Sequence, residues 1–211
     1  MFRNLFNRFK GNDAADGEDP GQGAFDEGAR YFFGSEVEQD FAKAREYWER
    51  AGALGHGNAL SNLAILHKNG LGVAPDPDRA RAYWEQAAAL GSSLAHYYLG
   101  VLYENGDGVE KDLARARDYY GQAAAAGQVM GLFNLGTLYF HENDFIAAHE
   151  HWEQAAKQGH LDSLFFLALL YLDGAGVERD LARAQQYLET AATAGHSNAR
   201  ELLEKLASGG D

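Results

Sequence analysis

The chain has no cysteine, only three prolines and only two methionines. Without thiols there is no disulfide framework, no thiolate nucleophile and no thiolate metal site. Basic residues are scarce: 18 Lys+Arg against 31 Asp+Glu leave a net charge of −13. Because Arg3, Arg8 and Lys10 stand in residues 1–10 with no acid, the rest of the chain carries −16. A surface this negative repels phosphate, so nucleic acid is not an expected partner. No apolar run approaches the roughly 20 residues of a membrane span. The start, MFRNLFNRFKGND, lacks the continuous apolar stretch of a secretory signal, so a cytoplasmic location is expected. What abounds is glycine, with 25 residues, together with alanine and 46% hydrophobic residues overall. That composition fits a globular chain of many helices closed by glycine.

Phe2, Leu5, Phe6 and Phe9 recur at helical spacing among the three basic residues. Residues 1–10 therefore read as a basic amphipathic segment, which either docks or frays locally or contacts a partner or an anionic membrane. Residues 11–23 (GNDAADGEDPGQG) are acidic and rich in Gly and Asp, the composition of a flexible linker.

Self-similarity is the strongest signal. Gly55, Gly91, Gly127, Gly159 and Gly195 are spaced by 36, 36, 32 and 36 residues. Before each lies an alanine-rich helix, such as YWEQAAALG or HWEQAAKQG. Four residues past each glycine a small residue (Ala59, Ala95, Gly131, Ser163, Ala199) opens a second helix type, and a degenerate copy starts at Ala24. On that helix Ala95, Leu99, Leu102 and Tyr103 form one apolar stripe. A small residue (Ala29, Ala64, Gly100, Gly136, Ala168) lets the paired helices approach closely. Three copies share a GxGV loop, from Gly70, Gly106 and Gly174, followed by Asp76, Asp112 or Asp180 near the next helix start. The fourth copy is four residues shorter there. The spacing predicts units 24–58, 59–94, 95–130, 131–162 and 163–198, with a cap over 199–207.

The motif A-x3-LG-x2-Y-x2-GxGV-x2-D-x3-A-x6-AA-x2-G, complete in Ala95–Gly127, resembles the Sel-one-like repeat family of tetratricopeptide-type helical proteins. The resemblance covers residues 24–207. It implies an all-α fold, a right-handed α-α superhelix (solenoid) of about five helix pairs plus a C-terminal capping helix. It also implies non-catalytic scaffolding or regulation of other proteins.

Signatures of chemistry are absent from the sequence. The recurring GxG loops never continue to the third glycine of a dinucleotide fingerprint nor precede Lys-Ser/Thr, so they read as structural. No GxSxG, HExxH or Ser-x-x-Lys occurs. His56, His160 and His196 fall at one repeat position, and His149 and His151, two apart, point away from each other on a helix. No catalytic residue, metal ligand or cofactor is expected.

The inner face of the first helices is the expected binding surface. It reads Ser61, Asn62, Ile65, Lys68 and Asn69 in the second copy and Tyr97, Tyr98, Val101, Glu104 and Asn105 in the third. The fourth gives Phe133, Asn134, Thr137, Phe140 and His141, and the fifth Phe165, Phe166, Leu169, Leu172 and Asp173. Asn62 and Asn134 offer both donor and acceptor to a peptide backbone. Tyr97, Tyr98, Phe133, Phe140, Phe165 and Phe166 are aromatic anchors of the kind interfaces favour. The fifth first helix (LFFLALLYL) is apolar nearly all round, so it is either covered by the cap or open to a partner. The expected protein is a monomeric adaptor for a protein partner. Narrower alternatives are an immunity-like protein that neutralises a basic toxin, or a membrane-associated scaffold held by residues 1–10.

Overall fold

The computed structural model describes residues 20–208. Residues 1–10 and most of the expected linker lie outside them. Among the described residues there are eleven helices and no strand. They are α1 (Gln22–Phe33), α2 (Phe41–Ala53), α3 (Gly57–Asn69), α4 (Pro77–Ala89), α5 (Ser93–Asn105) and α6 (Leu113–Ala125). Then come α7 (Val129–His141), α8 (Phe145–Lys157), α9 (Leu161–Asp173), α10 (Leu181–Thr193) and α11 (Ser197–Ala207). The chain forms two compact units, divided after Gln128. In the first, α1 to α6 pack each against the next. In the second, α7 to α11 do the same. The fold class is the all-α helix-pair repeat of solenoid proteins.

Nine of the helices, all but α1 and α7, begin at a side-chain cap that the sequence supplies. Asp40, Asp76, Asp112, Asp144 and Asp180 accept the N–H of the residue three further on, opening the second helix of every pair. Such a cap contributes about 1 kcal/mol. The first helices start two residues earlier than the spacing predicts, because the residue after the turn glycine is itself the cap. The N–H groups of Ala59, Ser163 and Ala199 donate to Nδ1 of His56, His160 and His196 at 3.1–3.2 Å, and Ser92 takes that role in α5. These contacts assign the three imidazoles as unprotonated at Nδ1. Likewise α1 starts at Gln22, inside the expected linker.

The core is one contact repeated. Trp48, Trp84, Tyr120, Trp152 and Leu188 stand buried at the middle of the second helices, each flanked by fully buried alanines four before and three after. Against these side chains lie the small residues of the first helices. A Cβ built on Gly100 would fall 2.6 Å from the Tyr120 ring, and one on Gly136 would meet Trp152. In the first copy the residue that meets Trp48 is Gly28. The expectation of Ala29 there is off by one, because α1 is a residue shorter than the other first helices before its closing glycine. Indole N–H groups of Trp48 and Trp152 donate to the carbonyls of Phe25 and Phe133, each at 3.1 Å.

A second contact recurs at the loop end of each pair. Three residues before the closing glycine stand Tyr31, His67, Tyr103 and Tyr171, with Tyr139 at the matching place in the shorter fourth copy. Each ring lies 5.4–5.9 Å from an aromatic of the second helix, respectively Tyr47, Tyr83, Tyr119, Tyr187 and His151. Arg115 donates to the Tyr103 hydroxyl at 3.3 Å and Arg183 to that of Tyr171 at 2.7 Å, while Lys43 sits over the Tyr31 ring.

The first copy has no GxGV sequence yet adopts the same loop. Glu36 takes φ 63° where Gly72, Gly108 and Gly176 take 68–72°. A Cβ on Gly72 would come within 2.8 Å of Phe41 Cβ, from the helix pair before it. No described pair precedes the first loop, which leaves Glu36 only its backbone cost. Replacing Glu36 by Gly is therefore expected to stabilise the fold by roughly 0.5–1 kcal/mol. Gly72→Ala is expected to destabilise it by more than that, and thermal unfolding of the two variants checks the opposite signs. Gly100→Val, which drives a branched side chain into Tyr120, is expected to cost about 1–3 kcal/mol in denaturant unfolding.

Burial holds the side chains of His67, His96, His149 and His151 below the usual imidazole range. The unfolded chain therefore binds protons first. These groups favour the folded state above about pH 6.5, and that advantage is lost as the pH falls below it. The melting temperature is expected to drop between pH 7.5 and 5.5. His96→Leu, which installs the residue found at the matching positions 60, 132 and 164, should flatten the profile.

Candidate functional site

The expected lining residues occupy two surfaces, one in each unit. In the first unit Tyr98 stacks on Trp84 (centroids 4.8 Å apart, 17° between planes), and Tyr97 lies 5.1 Å from Tyr98 and 6.2 Å from Tyr120. Lys68 Nζ sits 5.7 Å from the centroids of both Trp84 and Tyr98, a cation closing the stack. One turn along α5, Glu104 accepts the Tyr120 hydroxyl at 2.5 Å. Tyr97 and Tyr98 are half-buried.

The second copy differs from expectation. Ser61, Asn62 and Ile65 are buried rather than open to a groove. Ser61 spends its hydroxyl on the Gly57 carbonyl and on the Ser92 hydroxyl at 2.9 Å, tying α3 to the start of α5. Only Lys68 and Asn69 of that copy's expected set are exposed.

In the second unit the aromatics converge. Phe166 stacks on Trp152 at 5.0 Å, Phe140 lies 5.5 Å from the same indole, and Phe133 and Phe165 lie 5.9 and 5.7 Å from Phe166. All four phenylalanines and Asn134 are half-buried. The capping histidines hold the outer rings in place, His160 at 4.6 Å from Phe133 and His196 at 5.0 Å from Phe165. Asp162 takes His196 Nε2 at 3.0 Å. Helices α7 and α9 contain no lysine or arginine, and their only carboxylates are Asp162 and Asp173.

The apolar α9 is covered on most of its circumference. Leu164, Leu167, Ala168, Leu170 and Tyr171 are buried, with Leu202 and Leu203 of α11 packed on the same cluster. What stays half-buried is the stripe Phe165, Phe166, Leu169 and Leu172, the positions read as lining from the sequence. Both readings of this helix thus hold in part: the cap covers one side, and a narrow apolar stripe is left.

Sequence spacing did not reveal that one residue near the end of the first helix meets the central aromatic of the second: Phe32 meets Trp48, Lys68 meets Trp84, Glu104 meets the Tyr120 hydroxyl and Phe140 meets Trp152. Aligning copies from the closing glycine backwards, rather than from the opening alanine forwards, exposes the series Phe32, Lys68, Glu104 and Leu172, with Phe140 in the fourth copy. No group of three or more His, Asp or Glu side chains able to hold a metal ion occurs among the described residues. No described helix is long and apolar enough to cross a membrane.

Five consecutive matches to the Sel1 repeat cover residues 24–56, 57–92, 93–128, 129–160 and 161–196. No curated protein matches the sequence. Among solved structures, c5321, a protective antigen of uropathogenic Escherichia coli with an SLR fold, is 30% identical at TM-score 0.82. The match covers 88% of this chain and 41% of that one, so the chain spans about two fifths of the antigen's length. A Sel1 repeat protein from Oxalobacter formigenes is 25% identical over 93% of this chain and 84% of that chain, at TM-score 0.81. The immunity protein Pa5087 of Pseudomonas aeruginosa shares the fold at 24% identity and TM-score 0.62, covering 89% of this chain and 71% of its own. Matched over five consecutive units that account for nearly all the described residues, the chain belongs to the Sel1 repeat family.

Proposed function

We propose that this protein is a non-catalytic interaction module that holds a protein partner on the half-buried aromatic stripe of α7 and α9. The observation that carries this reading is the cluster Phe133, Phe140, Phe165 and Phe166 around Trp152. Phe166 and Phe140 lie against the buried indole and Phe133 and Phe165 against Phe166, so these rings lose little side-chain freedom on binding and most of the energy of covering them remains available as affinity. Each ring that goes from half-buried to buried contributes on the order of 1 kcal/mol. Asn134 makes no side-chain hydrogen bond among the described residues, so its amide is available to a partner's backbone. In the first unit Tyr97 and Tyr98 form a second and smaller surface of the same kind, to which the buried Asn62 does not contribute.

A narrower reading is that the partner is a basic protein, such as a toxin this chain neutralises. The net charge of −13 supports it by steering a cation-rich surface toward the chain. The fold shared with an immunity protein is consistent with it.

Alanine at Phe133, Phe165 and Phe166 together is expected to weaken binding of the partner captured from the native cell by at least a hundredfold, with the helical circular dichroism retained. Undiminished binding by that triple variant rules out the stripe. Co-expression that rescues growth from a neighbouring toxic gene separates the neutralising role from plain scaffolding.

A further inference from the structure

We infer that the cleft around His67 in the first unit is a binding site for a compact oxyanion, a phosphate or a carboxylate. The cleft has a volume of about 280 Å³ and is walled by Arg45 and Glu49 of α2, Pro75 and Asp76 of the loop, and Arg79 at the start of α4. A cleft also lies at the matching loop of the third copy, beside Tyr103, Asp112 and Arg115, and the second copy differs in the side chain at its floor. Where the other four pairs place a tyrosine, this one places a histidine. The imidazole still stacks on Tyr83, at 5.5 Å, but ends short of where a phenol hydroxyl reaches.

That substitution leaves one buried donor unmet and one exposed guanidinium without a phenol acceptor. In the third and fifth copies the arginine matching Arg79 donates to the tyrosine hydroxyl. Arg79 has no such acceptor: its side chain makes no hydrogen bond or ion pair among the described residues and rests over the Tyr83 ring. His67 is 3% exposed, and neither ring nitrogen has a hydrogen-bond partner. A neutral imidazole always carries one N–H, so a buried donor is unsatisfied here, an arrangement native proteins rarely keep without a ligand or water.

Each carboxylate of the cleft has one contact of its own. Asp76 accepts the Arg79 backbone N–H at 2.9 Å, and Glu49 lies 3.6 Å from Arg45 Nε. Neither contact reaches the His67 ring or the Arg79 guanidinium, and an oxyanion bridging those two satisfies both. Guanidinium groups suit such anions because their N–H fork matches two oxygens at once. With Arg45 and Arg79 set against Glu49 and Asp76, the charged lining of the cleft is neutral in a chain of net charge −13. The charged groups facing His67 are Arg45 and Glu49 from α2, Asp76 from the loop and Arg79 from α4. An anion added to that set favours the imidazolium, so occupancy draws a proton onto His67.

The test titrates the full chain with sodium phosphate, and separately with sodium acetate, against sodium chloride at equal ionic strength. The readout is the His67 ring resonance in NMR spectra, assigned by its loss in His67→Tyr. A saturable shift with either anion is expected, together with a higher His67 titration midpoint at saturation. Saturation by phosphate alone identifies a phosphoryl group, and by acetate a carboxylate such as a partner's C terminus. His67→Tyr restores the residue of the other copies and is expected to fold and to abolish binding, followed through neighbouring backbone amides. Arg79→Gln is expected to weaken binding at least tenfold. No response beyond chloride in either arm, an unmoved His67 midpoint, or equal binding by His67→Tyr overturns the proposal.

Discussion

Everything in this molecule depends on two helices coming close enough for a large ring to lie against a residue with almost no side chain. Trp48, Tyr120 and Trp152 fill the space that Gly28, Gly100 and Gly136 leave open. The alanines on either side of each ring are fully buried, so neither helix can roll or slide without separating from its neighbour. Interiors packed at crystal density tolerate little displacement of that kind. The caps and glycine turns serve this contact, since they fix where each helix starts and stops and hence which residues meet.

Nearest-neighbour packing also explains how variation is distributed along the chain. Within each unit a helix pair touches the pairs before and after it, so a change in one copy is felt locally. The fourth copy is shortened by four residues, replaces the loop glycines with Asn143 at φ 63°, and carries Ala147 where other copies have Lys or Arg. Its ring pair Tyr139–His151 still stacks at 4° between planes. Stacking and the capping aspartate are the parts that every copy retains.

Most of this architecture was legible from periodicity. The glycine steps, the small residue facing the ring and the aspartate before each second helix are local requirements of backbone geometry, and such requirements leave fixed residues at fixed intervals. What escaped was information that depends on a neighbour. That His56, His160 and His196 cap helices through Nδ1 cannot be read from a histidine after a glycine, because asparagine or serine would be the ordinary choice there. The burial of Asn62 and Ser61 depends on what α5 places beside them. The convergence of four phenylalanines on Trp152 joins residues from three helices. The one-residue offset of the first copy was invisible because counting began from the wrong end of the helix.

The residue set against the central ring is a phenyl at Phe32 and Phe140, a cation at Lys68 and an anion at Glu104. Beneath it the packed ring, the alanines and the turns hardly change. Recognition can thus be rewritten one letter per repeat while foldability is left alone. A lineage built on this plan is free to exchange its partners by single codon changes, or by gaining and losing whole repeats, without passing through an unstable ancestor.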